Sequence, residues 1–318
     1  MRVLVTGITG FAGPVVAAAL LEAGHEVHGL VRGAGPWPRL GALPLAPDAF
    51  HRGDLADGRF PDLVRALAPG ALVHLAGLSF APAAERDPAS AYRTNLGGTL
   101  AVLAAARAHA PRARLLVVTS SDVYGEVRAE DLPIVEETPL RPVSVYGASK
   151  AAADIAAAQW ARAYGLDVVR ARPFNHAGPG QDAAFVCSAL ARQLALIEAG
   201  RQEPVLRVGN VDPVRDFSDV RDIAAGYVAL LERGRAGAAY NVCSGEGTSI
   251  AEVIAVLRGH ARVPVRVQSD PALRRAVDVP RVVGSHARIA ADTGWRPRIA
   301  LADTLATVLD DWRRRLAS

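Results

Sequence analysis

The opening segment MRVLVTGITGFAG confines the chain to few folds. RVLVT (2–6) reads as a short, buried strand, and glycines at 7, 10 and 13 lead from it into a helical pattern over 11–23. A strand, a glycine-rich turn and a helix in immediate succession open a βαβ unit. Glycine there lets the backbone turn tightly and lets a diphosphate approach the helix N-terminus. Pro14 is tolerated because an amide in the first helical turn has no intrahelical partner.

The same alternation continues through residue 175. EVHGLVR (26–32), LVHLAG (72–77), RLLVVTS (114–120) and DVVRARP (167–173) are further strand patterns, and helical patterns near 88–109 and 146–164 separate them. Near-continuous apolar strands alternating with helices predict an α/β protein with a doubly wound, Rossmann-like parallel sheet covered on both faces. Residues 1–175 are expected to form a dinucleotide-binding domain. After Pro173 the rhythm changes. Helices near 183–199, 219–232, 249–258 and 301–315 alternate with short strands near 205–208, 239–243 and 264–268. Residues 176–318 are therefore expected to be mostly a smaller substrate-binding lobe at the carboxyl edge of the sheet, where such sheets bind ligands.

Composition narrows the function classes. Of 318 residues, 50% are hydrophobic and 21% charged, which suits a globular protein with a substantial core. The net charge of +4 is dispersed, with no basic run beyond Arg313–Arg315, so nucleic acid is not an expected partner. Cys187 and Cys243 lie far apart in no metal-like spacing, and neither a disulfide framework nor a metal site is expected. The N-terminus starts directly with a strand, without a signal-peptide pattern, and no apolar run reaches membrane length. The expected location is the cytoplasm.

Three residue sets carry chemistry. At the end of the second strand, where a carboxylate would bind a ribose 2′-hydroxyl, stands Arg32. Arginine there suits a 2′-phosphate, and hence NADP; the competing reading is a solvated surface arginine. The second set is Ser120, Tyr146 and Lys150, the last being the one lysine among 36 Lys and Arg. Tyr-x-x-x-Lys on a helix places both side chains on one face. The cation is expected to lower the phenol pKa from near 10 and so fit Tyr146 for acid–base work. Ser120, at a strand end, can hydrogen-bond the same substrate oxygen. The third set is Arg215 and Arg275 in the second lobe, which can clamp a diphosphate bidentately or simply pair with neighbouring aspartates.

With TGITGFAG, GDL (53–55), HLAG (74–77), TNLGGT (94–99), TSSDVYG, YGASK and RPFNHAGPGQ in place, the chain resembles the extended short-chain dehydrogenases/reductases that act on nucleotide sugars. The later segments RPFNHAGPGQ, VGNVDPVRDFSDVRDI and YNVCSGEG are most similar to the branch reducing GDP-4-keto-6-deoxy-D-mannose to GDP-D-rhamnose. The resemblance implies NADPH as the preferred cofactor, with NAD possible. It implies that Gly7, Thr9, Gly10, Phe11, Ala12 and Gly13 form the diphosphate loop, with Arg32 beside the 2′-phosphate. Asp54 and Leu55 would face the adenine. Leu75, Ala76, Gly77, Asn95 and Pro173 would complete the cofactor site, together with Tyr146 and Lys150. For the GDP-sugar it implies Ser79, Ser121, Asp122, Asn175, Phe185, Val186, Arg215 and Arg275. It also implies a homodimer formed through the helices near 88–109 and 146–164. Pro14 and Gly77 depart from the residues the family commonly has. Sugar 4,6-dehydratases carry glutamate where this chain has Asp122, a carboxylate one methylene shorter, so dehydratase and 4-epimerase activities remain alternatives. A non-catalytic NADP sensor is the remote one, and the intact Ser120, Tyr146 and Lys150 count against it.

Overall fold

A computed structural model describes residues 1–33, 35–273 and 279–317. The first six strands are β1 (Arg2–Thr6), β2 (Glu26–Val31), β3 (Phe50–Arg52), β4 (Ala71–His74), β5 (Arg114–Val118) and β6 (Val168–Pro173). Next come β7 (Asn175–Ala177), β8 (Val205–Val208), β9 (Val214–Asp219) and β10 (Ala239–Val242). The last are β11 (Gly247–Ser249), β12 (Arg266–Ser269) and β13 (Arg281–Val282). Helices of the first half are α1 (Gly13–Glu22), α2 (Pro38–Gly41), α3 (Phe60–Leu67), α4 (Ala81–Arg86), α5 (Pro88–Tyr92), α6 (Gly98–His109) and α7 (Val145–Tyr164). Those of the second half are α8 (Val186–Glu198), α9 (Val220–Arg233), α10 (Ile250–Gly259), α11 (Ala287–Thr293) and α12 (Leu301–Ala317).

Seven strands form one parallel sheet in the order β10-β6-β5-β4-β1-β2-β3. Alternation along β1 shows why both faces are covered. Val3 and Val5 join the apolar layer that includes α1 and α9, while Leu4 joins the layer with Phe60 of α3 and Leu103 of α6. All three are fully buried, and each such side chain stabilises the fold by roughly 1.5–3 kcal/mol.

A second core lies outside this sheet. Leu190 and Leu194 of α8, Val253 and Leu257 of α10, and Leu305 and Leu309 of α12 close around Leu206 and Phe217. β9 runs beneath them, paired with β7, β11 and β13, while β8 pairs with β12. Residues 220–242 do not stay in this lobe. β10 extends the large sheet by pairing with β6, and α9 packs on α1. The reason is apolar: Tyr240 and Val242 are fully buried in the core of the large sheet. The helical stretch expected over 88–109 is also interrupted, by a π-helical turn at Arg93–Gly97. Among the described residues no helix is long and apolar enough to cross a membrane.

Candidate active site

The carboxyl ends of β1, β4, β5 and β6 meet the loops of the second core around a cavity of about 320 Å³. Gly7, Gly10, Phe11, Ala12 and Gly13 line one end of it. Gly7 has φ +75°, and a Cβ there would lie 2.6 Å from the Ala76 amide nitrogen, so only glycine brings the two loops together. The backbone of this loop opens directly into α1, with Pro14 in the first turn. Residues and shape thus fit a dinucleotide diphosphate at a helix N-terminus.

Ser120, Tyr146 and Lys150 line the same cavity and are 7%, 9% and 7% exposed. Ser144 caps α7 by accepting from Gly147 N at 3.0 Å, and Glu85 of α4 accepts from Val145 N at 2.8 Å. These bonds fix the first turn of the helix that carries Tyr146. One turn on, Lys150 Nζ donates to the Val118 carbonyl at 3.0 Å. Burial lowers its pKa to about 8. His74, which shares a 2.7 Å hydrogen bond with Thr6 Oγ1, is held neutral, with a pKa near 3, by burial and then by the Lys150 charge.

The expected lowering of the Tyr146 pKa is not what this conformation shows. Burial raises it, the Asp122 charge raises it further, and a hydrogen bond with Ser120 opposes both. The ammonium is turned to Val118 O, so burial prevails, and the phenol is firmly protonated at neutral pH.

Of the other candidate residues, Leu75, Gly77, Ser79, Ser121, Asp122, Pro173, Asn175, Phe185 and Val186 line the cavity. Gly77 sits tightly: a Cβ would meet Asn95 Oδ1 at 2.8 Å and Lys150 Nζ at 3.1 Å. The departure from the common family residue therefore leaves room for the lysine. Thr9, Arg32, Asp54, Leu55, Ala76, Asn95 and Arg215 are not among the lining residues. Arg32 is exposed just past β2. The Asp54 carboxylate turns back to accept from Ala56 N, and Leu55 packs toward Gly98. Asn95 is buried, accepting from Leu78 N and donating to Leu78 O and Ser149 Oγ. It ties the loop after β4 to α7 from within the π turn. Arg215 donates to the Val214 carbonyl. Arg275 lies outside the described residues.

Sequence reasoning passed over several lining residues: Leu78, Phe80, His176, Gln181, Phe217 and Tyr227. Phe80 and Phe185 meet edge to face across the cavity, with centroids 6.1 Å apart, and His176 stacks on Phe11 at 5.9 Å. His176 and Gln181 stood inside the NHAGPGQ segment already singled out; Phe80 had no local signal. Among the described residues no group of His, Cys, Asp or Glu is arranged to hold a metal ion.

Comparison with known proteins agrees with this arrangement. The chain is 42% identical to the GDP-6-deoxy-D-mannose reductase of Pseudomonas aeruginosa, over 99% of this chain and 98% of that protein. Among solved structures it is similar to RMD from Pseudomonas aeruginosa complexed with NADPH, with a TM-score of 0.84, 40% identity and 99% of each chain covered. It is also similar to the UDP-glucose 4-epimerase of Thermus thermophilus in complex with NAD, with a TM-score of 0.85 and 31% identity over 98% of this chain and 99% of that one. Residues 4–308 match the family described as GDP-mannose 4,6 dehydratase, and the chain belongs to that family.

Proposed function

We propose that this protein is an NADPH-dependent 4-ketoreductase that converts GDP-4-keto-6-deoxy-D-mannose to GDP-D-rhamnose. The observation that carries it is the convergence of the glycine loop with Ser120, a protonated Tyr146 and Lys150 in one cavity, in a chain similar from end to end to a GDP-6-deoxy-D-mannose reductase. Carbonyl reduction needs an acid beside the forming alkoxide, and a buried, protonated phenol is one. NADPH, when bound, would supply the hydride needed at C4 of the keto sugar. Tyr146 gives its proton to the C4 oxygen, and Ser120 holds that oxygen. Lys150, one turn from Tyr146 with its ammonium on the Val118 carbonyl, is the group that would hold the nicotinamide ribose. Gly7, Gly10 and Gly13 would admit the diphosphate, and Arg32 would favour the 2′-phosphate. Ser79, Asn175 and Phe185 would face the sugar nucleotide.

The test is direct. Protein, NADPH and enzymatically made GDP-4-keto-6-deoxymannose should consume NADPH and yield a single 6-deoxyhexose product, identified by NMR. Formation of a 4-keto product from GDP-mannose with NADP⁺ would replace this reading with the dehydratase. Asp122 keeps that second reading alive, because its carboxylate lines the cavity. The same proposal places the protein in the cytoplasm, with its cofactor and substrate. It also pairs two copies through α6 and α7, whose outer face exposes Ile155 at 57%. Ile155→Arg should convert a dimer to a monomer in sedimentation.

A further inference from the structure

Asp154 takes no part in the chemistry above, yet it lies one turn beyond Lys150 on the same face of α7, as Lys150 lies one turn beyond Tyr146. Its side chain is 1% exposed. Arg172 grips it in a fork, Nε to Oδ2 at 2.9 Å and Nη2 to Oδ1 at 2.8 Å. Arg170, two residues earlier on the same face of β6, adds a bond to Oδ1, and the Thr119 hydroxyl is shared between Oδ2 at 3.2 Å and the Ala171 carbonyl at 3.1 Å. Oδ1 accepts two guanidinium bonds, and Oδ2 accepts one beside the shared Thr119 hydroxyl. Burial alone would favour the neutral acid, but the bonds and charge of Arg172, then of Arg170, keep it ionised.

Two of the three partners of this carboxylate adjoin the site, and Thr119 lines the cavity itself. Thr119 precedes Ser120, and Arg172 precedes Pro173, which lines the cavity. Two consecutive residues of the β5 end are thereby bonded to two residues one turn apart on α7: Val118 O to Lys150 and Thr119 Oγ1 to Asp154. Two contacts of this kind set both the height and the rotation of the helix against the strand; one alone would leave a pivot.

We propose that Asp154 is a positioning residue: through Thr119 and Arg172 it fixes the register of α7 against β5, and so the placement of Lys150 relative to Ser120. A ground-state scaffold would have to hold the fold; a register device must also hold the reacting groups to a fraction of an ångström, and a misplacement of about 1 Å costs on the order of 100-fold in rate. The kinetic arm of the test rests on the reductase reading. The spectroscopic arm does not, because the chain has one lysine, so protein grown with ε-¹³C-lysine reports Lys150 alone.

Three variants are compared: Asp154→Asn, Asp154→Glu and Thr119→Val, the last removing one hydroxyl without changing charge. Asp154→Asn is expected to lower kcat about 100-fold per NADPH-binding site, while the Kd for NADPH stays within about threefold. Asp154→Glu should recover part of that loss, and Thr119→Val should lower kcat by about fivefold. In Thr119→Val the Lys150 signal of the folded protein should move from its wild-type position. Unchanged kcat in Asp154→Asn, or a loss of kcat matched by loss of NADPH affinity, overturns the proposal. Should Asp154→Asn fail to fold, Thr119→Val decides: an unmoved Lys150 signal with wild-type kcat overturns it. If the wild-type protein does not reduce the 4-keto sugar, the substrate reading falls, and the Lys150 signal alone decides the role of Asp154.

Discussion

Ser120, Tyr146 and Lys150 are each less than a tenth exposed and stand just past β5 and on α7, segments tied together by Asp154, Arg172 and Thr119. Across the cavity, Ser79 is exposed and Phe80 and Phe185 are half-buried, and all three ride on loops that meet mainly through one aromatic contact. One wall is polar, buried and densely bonded; the other is apolar and lightly held. The difference follows from the work each does. Proton transfer demands groups fixed to a fraction of an ångström, which buried hydrogen-bond networks supply. A sugar nucleotide must enter and leave, which a wall of packed arginine and aspartate would forbid.

The contrast is sharpest at Tyr146. Tyr146→Phe removes only the acid, so kcat should fall by about 100- to 10,000-fold with little change in the Kd for NADPH, as read by cofactor fluorescence. A loss of under about tenfold would mean that the buried wall does not carry the chemistry.

Lys150 shows what that wall costs the fold. Its folded pKa of about 8 lies below the ordinary 10.5, so between these values the unfolded chain holds more protons than the folded one. Stability therefore rises as pH climbs through this window, and below about 8 the penalty is fully present, about 3 kcal/mol. Lys150→Met should abolish turnover yet stabilise the protein by up to this amount at neutral pH, with the gain fading between about pH 8 and 10.5. Urea unfolding at several pH values checks it.

Arg32 belongs to neither wall, and its effect should be smaller. Arg32→Asp is expected to weaken NADPH by about tenfold while leaving NADH within about twofold. Equal losses for both cofactors would return Arg32 to an ordinary surface arginine. The mildest change should be at the loop wall itself. Phe185→Ala should raise KM for the GDP-sugar by several-fold, on the order of 1 kcal/mol for a lost aromatic contact, with kcat nearly kept. If kcat falls instead, the loop wall is part of the catalytic geometry and the contrast drawn above dissolves.

Much of the chemistry was legible in the chain because it is written at short range. Gly7, Gly10 and Gly13 between a strand and a helix, and Tyr146 four residues before Lys150, need only local geometry to be read. Arg32 was legible as a position at a strand end. Asn95 was read as a cofactor contact, and what the sequence could not show is that its side chain also bonds Leu78 and Ser149. The direction of the Tyr146 pKa was missed for a similar reason. Helical spacing put a cation nearby, but the depth of burial and the turn of Lys150 toward Val118 are not local properties.

Residues 220–242 mark the same limit in the backbone: their helix and strand pattern was plain, but their return to the large sheet depends on which core has room for Tyr240 and Val242. By itself the sequence determined the periodicities, the glycine loop and the Tyr-x-x-x-Lys face, since each depends on residues within a few positions of one another. Only tertiary structure decided that Asp154 meets Arg172 and Thr119, that Phe80 meets Phe185, and that Gly77 leaves space for Lys150. Those contacts join distant segments, and what selects them is burial: a charge or a ring removed from water must find its partner wherever the packed chain brings one.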